Sequence, residues 1–447
     1  SRLNCTWERN PNMLAWILNA AYLAILVGLS PAIAWAAWRT GKYREGYREK
    51  LLGLVPRRAG QRFCVWVHAV SVGEVNLLAT TLRELAERRP DWEVVLSTTT
   101  KTGYELARRK YGQRHTVFYC PLDFSWAVGR AMRRVRPDLL VLAELELWPN
   151  LIAAARRHGA QVAVINGRLS ENSFRGYQRI GWLAKRVLKQ INLIASQDQA
   201  TADRFLALGA SRGTVQVTGS LKYDGAETNR ENPRTQELRN LAGLTSDHVV
   251  LLAGSTQAPE EAFAIETFQR LHPEFPALRL VLVPRHPERF DEVARLLHES
   301  GIPWVRRSQL QSAIPNPQSA ILVDTIGELG AWWGVADIGF VGGSFGDRGG
   351  QNMIEPAAYG VATCFGPNTR NFRDIVAALL TAGGAVVVND AEQLEALVWH
   401  CLSDRVYAAA LGERARRFVA TQLGATRRTL DMLEAIGPPA DARRSAA

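Results

Sequence analysis

Three carboxylates and a lysine follow the apolar runs in the first half of this chain, where the reacting end of a sheet would lie. In "FCVWVHAVSVGEV", Phe63 to Val75, a buried-strand pattern turns through Ser71 and Gly73 and brings Glu74 to the start of a helical pattern. Free amides and the positive end of the helix dipole surround such a carboxylate and are expected to hold it ionised. An ionised carboxylate in a cleft can take the proton of a hydroxyl nucleophile. The same position also suits a plain helix-start carboxylate, and the glycine turn also suits a phosphate. "LLVLAELELWPNL" puts Glu144 and Glu146 after the next long apolar run, so at least one should reach the same cleft while the other could cap the helix that Pro149 helps start. Lys222, in "VTGSLKYD", ends the last strand pattern of this half, where a cation could meet negative charge on a substrate or simply face water.

The second half carries oxyanion-binding equipment at three strand ends. "GST" ends in Ser255 and Thr256, "PRHPER" holds Pro284 and Arg285, and "GGQNMIEPAAYG" holds Asn352, Met353, Ile354 and Glu355. Glycine turns let backbone amides approach a phosphate, and Arg285 can pair with it bidentately. Glu355, beside Pro356, opens a helix and could accept ribose hydroxyls. A generic cap explains any one of these, whereas three at equivalent ends of one sheet favour a nucleotide.

These residues need a scaffold that returns strand ends to one edge. From Phe63 the chain alternates short apolar runs with longer amphipathic ones, the rhythm of a parallel sheet covered on both faces. "DGAETNRENPRTQ", rich in turn residues, interrupts it, and the rhythm restarts at "HVVLLAGST". At 447 residues the chain is long enough for two such domains. The division is an N-terminal segment 1–50, a Rossmann-like domain 51–224, a linker 225–245, a second Rossmann-like domain 246–425 and a helix with a disordered tail, 426–447. The fold class is α/β, with two doubly wound sheets facing a cleft.

Residues 1–225 carry 33 Lys/Arg against 17 Asp/Glu, while the remainder is acidic, with 21 against 26. A basic half suggests nucleic acid, an anionic membrane or a phosphorylated substrate. The absence of zinc-finger, RNA-binding-sheet and basic-zipper patterns disfavours nucleic acid. Five scattered cysteines fit neither a disulfide framework nor a zinc site and point to a reduced, cytosolic compartment; no ligand-spaced cluster argues for a metal.

Between Arg9 and Arg39 there is no charged residue. "MLAWILNAAYLAILVGLSPAIAWAAW" is long enough as a helix to cross a bilayer's hydrocarbon, and Trp16, Trp35 and Trp38 stand near its ends. Ala32-Ile33-Ala34 fits a signal-peptide cleavage site, but Arg39, Lys42, Arg44, Arg48 and Lys50 follow it, whereas only Arg2 and Arg9 precede the segment. The expectation is a single anchor, spanning or deeply interfacial with Pro31 bending it, whose C-terminal side is cytoplasmic and whose basic run favours anionic lipid.

In order along the chain, "HAVSVGE", "STTTKTG", "ELELWPN", "INGRLS", "GSLKYD", "GSTQAPEE", "LVPRHPER", "DTIGEL" and "GGQNMIEPAAYG" resemble the 3-deoxy-D-manno-octulosonic acid (Kdo) transferase family of lipopolysaccharide synthesis. The resemblance implies a GT-B glycosyltransferase that moves Kdo from CMP-Kdo to the tetraacylated lipid A precursor at the cytoplasmic face of the inner membrane, without a cofactor or metal. It implies Glu74 as general base, Glu144 and Lys222 as stabilisers of the transition state, and Pro284, Arg285, the Ile326-Gly327-Glu328 turn and Asn352 to Glu355 as the CMP-Kdo site. Gln257 and Gln351 stand where the family often has His, which bears on nucleotide contacts rather than on the reaction. A bisphosphorylated acceptor would suit the basic first half, where "NGRLSENSFRGYQRIGWLAKRVLKQ" carries Arg168, Arg175, Arg179, Lys185 and Arg186 on what also reads as an amphipathic helix packed on its domain. A GT-B transferase using a UDP-sugar on another lipid-linked acceptor would share fold and anchor. A membrane-bound scaffold of degenerate site would lack the charged residues that are all present here.

Overall fold

Leu139–Ala143 (LLVLA) has no polar face, and it folds as a strand whose five residues are all buried. This is the behaviour of a parallel sheet covered on both sides. The structure, a computed structural model, describes residues 11–40, 45–310 and 320–438. The expectations for Arg2, Cys5, Arg9, Lys42, Arg44 and the tail 439–447 lie outside the described residues.

The chain divides into two units, residues 1–225 with 423–447, and 226–422. In the first, strands β1 (Cys64–His68), β2 (Glu93–Thr98), β3 (Thr116–Tyr119), β4 (Leu139–Ala143), β5 (Gln161–Gly167), β6 (Leu193–Ser196) and β7 (Val215–Val217) form one sheet in the order β3-β2-β1-β4-β5-β6-β7. Every pairing is parallel, with Trp66 opposite Leu140 and Val67 opposite Val141 across β1 and β4. Cys64, Trp66, Leu140 and Leu142 enter one core layer, while Val65, Val67, Leu139 and Val141 enter the other. The period of two in each strand thus feeds both faces.

The second unit repeats the plan with β8 (Val249–Thr256), β9 (Leu278–Pro284), β10 (Trp304–Arg306), β11 (Ala320–Leu322), β12 (Ile338–Val341), β13 (Ala362–Phe365) and β14 (Ala385–Val387), ordered β10-β11-β9-β8-β12-β13-β14. Chain order reverses at β1/β4 in the first unit and at β8/β12 in the second. In open sheets of this kind ligands settle at the carboxyl ends of the strands flanking such a reversal.

Two boundaries differ from those expected. Within the interval 225–245, Asn232 caps a helix, Pro233–Leu241, by accepting from Thr235 N at 2.9 Å, so an Asn-Pro pair that reads as a turn is a helix start. Arg230 Nε of the same interval donates to Tyr359 O at 2.9 Å, and the interval belongs with the second unit. The C-terminal helix Ala425–Ile436 belongs with the first unit, where Ala425, Leu430 and Leu433 complete a core layer. Asp224 fixes its entry by accepting from Gly424 N at 2.6 Å and also from Thr426 N.

The N-terminal helix runs from Pro11 to Thr40 and contains Pro31. Proline removes the amide that would bond Val27 O, and the Ser30 hydroxyl donates to that carbonyl instead, at 2.7 Å. The helix therefore passes through the proline without leaving the carbonyl unsatisfied.

Candidate functional site

At the reversal in the first unit, β1 leads into the helix Val72–Arg88, capped by Ser71, and Glu74 stands in its first turn. Glu74 Oε2 accepts from Val70 N at 2.8 Å and Oε1 from the Ser71 hydroxyl at 3.0 Å. These contacts favour the ionised form, yet burial outweighs them and, with Glu144 and Glu146 nearby, pushes the carboxyl up to about 7. This corrects the expectation of a permanently ionised group: the helix start supplies two donors, but packing removes more water than they replace. A carboxyl titrating near neutrality is matched to proton transfer.

Glu144 and Glu146 leave the adjacent strand β4, and both act electrostatically on Glu74. Glu144 adopts φ +57, in the left-handed region that glutamate rarely occupies, while its amide donates to Ile165 O at 2.9 Å. Glu146 Oε2 accepts from Trp148 Nε1 at 2.7 Å, and burial raises its carboxyl despite that bond. Three carboxyl groups thus crowd one strand-end junction.

Lys222 lies exposed beyond β7. The segment leading to it is pinned by Asn166, whose Oδ1 accepts from Leu221 N at 3.0 Å and whose backbone takes φ +53. Asn166 is fully buried, and its Nδ2 has no protein partner among the described residues. Its role was not singled out from the sequence; the "ING" after an apolar run is the signal, since Asn and Gly tolerate such a backbone.

In the second unit the expected donor residues separate into those that can face a ligand and those that cannot. Ser255, at φ +56, and Thr256 end β8 and are buried, so they offer little to an outside phosphate, contrary to expectation. Gly254 is a packing glycine, because a Cβ there would stand 2.5 Å from the Trp333 ring. Pro284 closes β9, and Arg285 N donates to Thr256 O at 3.0 Å while its side chain is exposed. Asn352 Nδ2 donates to Glu355 Oε1 at 2.9 Å, and Asn352 Oδ1 accepts from Ile354 N at 3.1 Å. Burial raises the Glu355 carboxyl, with Asn352 and Arg285 opposing. Arg285, Asn352 and Glu355 therefore form one electrostatic group, whereas the Met353 and Ile354 side chains are in the core and leave only their backbone for contact.

Glu328 departs most from its expected role. Its carboxylate accepts from Arg307 Nε at 2.9 Å and Nη2 at 3.0 Å, from Thr325 Oγ1 at 2.6 Å and from Arg234 Nη2 at 2.5 Å. Burial works against ionisation, but these donors prevail and hold the carboxyl below its usual range. That side chain is a strut, leaving Gly327, at φ +90, and the exposed Ile326 to face outward.

Glu260 was missed, although "QAPEE" after an apolar strand has the spacing of a helix-start carboxylate. Its Oε2 accepts from Gln257 N at 2.9 Å and Gly343 N at 2.7 Å, and Oε1 from Ser344 N at 2.8 Å and Phe345 N at 3.0 Å. The neighbouring Glu261 accepts from Arg289 Nη2 at 3.1 Å. Consecutive carboxylates thereby brace the loops after β12 and β9 from the start of the helix after β8.

The basic run breaks at Ile180 into helices Glu171–Arg179 and Gly181–Leu188, not one continuous helix. Ala184, Val187 and Leu188 are buried, and Val187 and Leu188 join the core layer that holds Val162 and Ile194. Arg168, Arg179 and Lys185 face outward, Arg175 pairs with Glu171 at 3.2 Å, and Arg186 is half-buried.

A sequence model described as 3-Deoxy-D-manno-octulosonic-acid transferase (kdotransferase) matches residues 45–225. A 3-deoxy-D-manno-octulosonic acid transferase of Bordetella pertussis is 36% identical over 430 residues, 92% of this chain and 98% of that relative. Its counterpart from Haemophilus influenzae is 34% identical, over 83% of this chain and 86% of its own length. A crystal structure of a glycosyltransferase from Rickettsia africae matches 85% of this chain and all of its own, with a TM-score of 0.54 at 12% identity, a likeness of fold.

Proposed function

The chain belongs to the Kdo transferase family, a family of GT-B glycosyltransferases, and from that membership we propose that it transfers Kdo from CMP-Kdo to the tetraacylated lipid A precursor, with inversion at the anomeric carbon. The observation that carries the mechanism is Glu74, a carboxyl near pH 7 at the strand reversal of the first unit. The acceptor hydroxyl oxygen forms the new bond to the anomeric carbon as Glu74 takes its proton. The bond from that carbon to the phosphate oxygen breaks, and CMP departs with the electron pair.

Glu144 and Lys222 stabilise charge as it shifts. Arg285 and the amides around 326–327 hold the phosphate, with Asn352 and Glu355 on the ribose side. The reaction needs no metal in this scheme, because the leaving phosphate carries its charge onto these donors. We assign the protein to the cytoplasmic face of the inner membrane, attached by its N-terminal helix, which is long and apolar enough for a membrane over Met13–Ala32.

Transfer assayed by mass spectrometry of the lipid product, with EDTA present and with CMP and UDP as competitors, tests the scheme. Kdo addition resistant to EDTA and inhibited by CMP supports it. Preference for UDP, or dependence on added metal, overturns donor or mechanism respectively.

A further inference from the structure

The N-terminal helix has the length and apolar composition of a membrane span over Met13–Ala32. Its middle, however, is fastened to the first unit by polar groups. Asn19 is 5% exposed, its Nδ2 donates to Ser125 Oγ at 2.8 Å, and its Oδ1 accepts from Ser125 N at 2.9 Å. One turn on, Tyr22 OH donates to Asp123 Oδ2 at 3.1 Å, and the Tyr22 ring meets Phe124 edge-on. Asp123 also accepts from Asn150 N at 3.0 Å and Leu151 N at 2.8 Å, so one buried carboxylate both starts the helix Pro149–Arg157 and clasps the apolar helix.

Two recesses flank this clasp. Towards the N-terminus, a cavity of 490 Å3 lies between Leu14, Ala15 and Leu18 on one wall and Arg156, Arg157 and Lys189 on the other. Towards the C-terminus, an apolar recess of 170 Å3 is lined by Tyr22, Leu26, Leu122, Phe124 and Trp148. The opposite face of the helix presents Trp16, Ile17, Leu23 and Val27, all exposed.

A helix crossing the bilayer would carry Asn19 and Tyr22 towards the hydrocarbon centre, and their domain partners with them. Arg156, Arg157 and Lys189, beside the first turns of the helix, would have to enter hydrocarbon, which strongly disfavours cations. Laid flat, the same helix puts Trp16, Leu23 and Val27 among acyl chains and the three cations level with lipid phosphates.

We propose that the Pro11–Thr40 helix does not cross the membrane but lies in its plane, clasped lengthwise to the first unit, with anionic lipid headgroups meeting Arg156, Arg157 and Lys189 in the adjoining cavity. The proposal rests on the membrane attachment argued above and gives it a geometry. The helix is then part of the folded unit that faces the bilayer, and the catalytic strand ends are held at a fixed height over the lipid surface.

The test uses the full chain in a Cys5→Ser background. Asn19→Cys with Ser125→Cys should form a disulfide in native membranes under mild oxidation, with transfer retained. Met13→Cys, made separately so that it does not depend on the paired variant, should resist a membrane-impermeant maleimide in right-side-out spheroplasts and react once the membrane is dissolved in detergent. Labelling of Met13→Cys from outside would establish a crossing helix and overturn the proposal, as would loss of membrane binding in the disulfide form. Arg157→Gln and Lys189→Gln should each weaken flotation with phosphatidylglycerol vesicles about fivefold, and unchanged binding would remove the headgroup contact. Failure of the unmutated chain to float with any vesicle would instead defeat membrane attachment, and flotation without Kdo transfer would defeat the transferase assignment while leaving the helix geometry intact.

Discussion

Ser71 and Glu74 cap each other: the Ser71 hydroxyl accepts from Glu74 N at 3.4 Å and donates to Glu74 Oε1 at 3.0 Å. The hydroxyl hydrogen is thereby committed to the carboxylate, which makes Ser71 one of the few groups opposing the burial that raises Glu74.

A base works when ionised, so the transfer rate should rise with pH through an acid limb near 7, set by the raised Glu74 carboxyl. Ser71→Ala removes a hydrogen bond to the charged form and should move that limb to higher pH. Rate profiles of the two proteins check this, and an unshifted limb would detach Ser71 from the base.

Glu74→Gln should lower turnover by about 10²–10⁴-fold while leaving CMP binding intact. It should also stabilise the fold. The folded carboxyl binds its proton more tightly than the unfolded one, so stability declines as pH rises from the ordinary glutamate value to about 7. Removing the charge recovers roughly 1–2 kcal/mol at neutral pH, after discounting for partial exposure. Thermal melts at pH 5 and pH 8 check the sign: the gain should be larger at pH 8.

Glu144→Asn should keep the fold, because asparagine tolerates the left-handed backbone at φ +57, and should relieve about 1 kcal/mol of strain. Turnover should fall while the melting temperature rises slightly. A variant that is both stable and fully active would take Glu144 out of the reaction.

Glu260→Gln turns an amide hydrogen pair towards backbone N–H donors that now meet a carboxylate oxygen. A loss of about 2–4 kcal/mol in unfolding free energy is expected. The donor KM should rise more than kcat falls, because the loop after β12 loses its brace. Denaturant unfolding and steady-state kinetics at varied CMP-Kdo separate the two effects.

Glu328→Gln should lower the melting temperature by several degrees, since Arg307 and Arg234 lose their shared anion, with little change in kcat at saturating donor. An undiminished melting temperature with a large kcat loss would return Glu328 to the reacting site.

The sheets were legible because runs such as LLVLA and CVWVH advertise burial on both faces, and strand ends then locate Glu74, Glu144 and Arg285. What sequence could not convey was the balance of burial against hydrogen bonding. The turn at Ser71 predicts donors around Glu74, but the water displaced by neighbouring elements decides its titration. Glu260, Asn166 and Asp123 escaped for a related reason: each stabilises a loop distant in sequence, and only the strand order brings those loops within reach. Conversely, Ser255, Thr256 and Glu328 sit in well-marked motifs, yet their side chains are taken up by packing and ion pairs.

The docking of Ala425–Ile436 on the first unit orders events during synthesis. On a ribosome, the first sheet emerges without the helix that completes its core layer around Leu430 and Leu433. The whole of 226–422 is translated in between, about 10–40 s at roughly 5–20 residues per second. Through that interval the nascent unit keeps an uncovered apolar strip, a stretch of vulnerability that chaperones would shield. A message truncated after codon 422 would leave the strip open permanently.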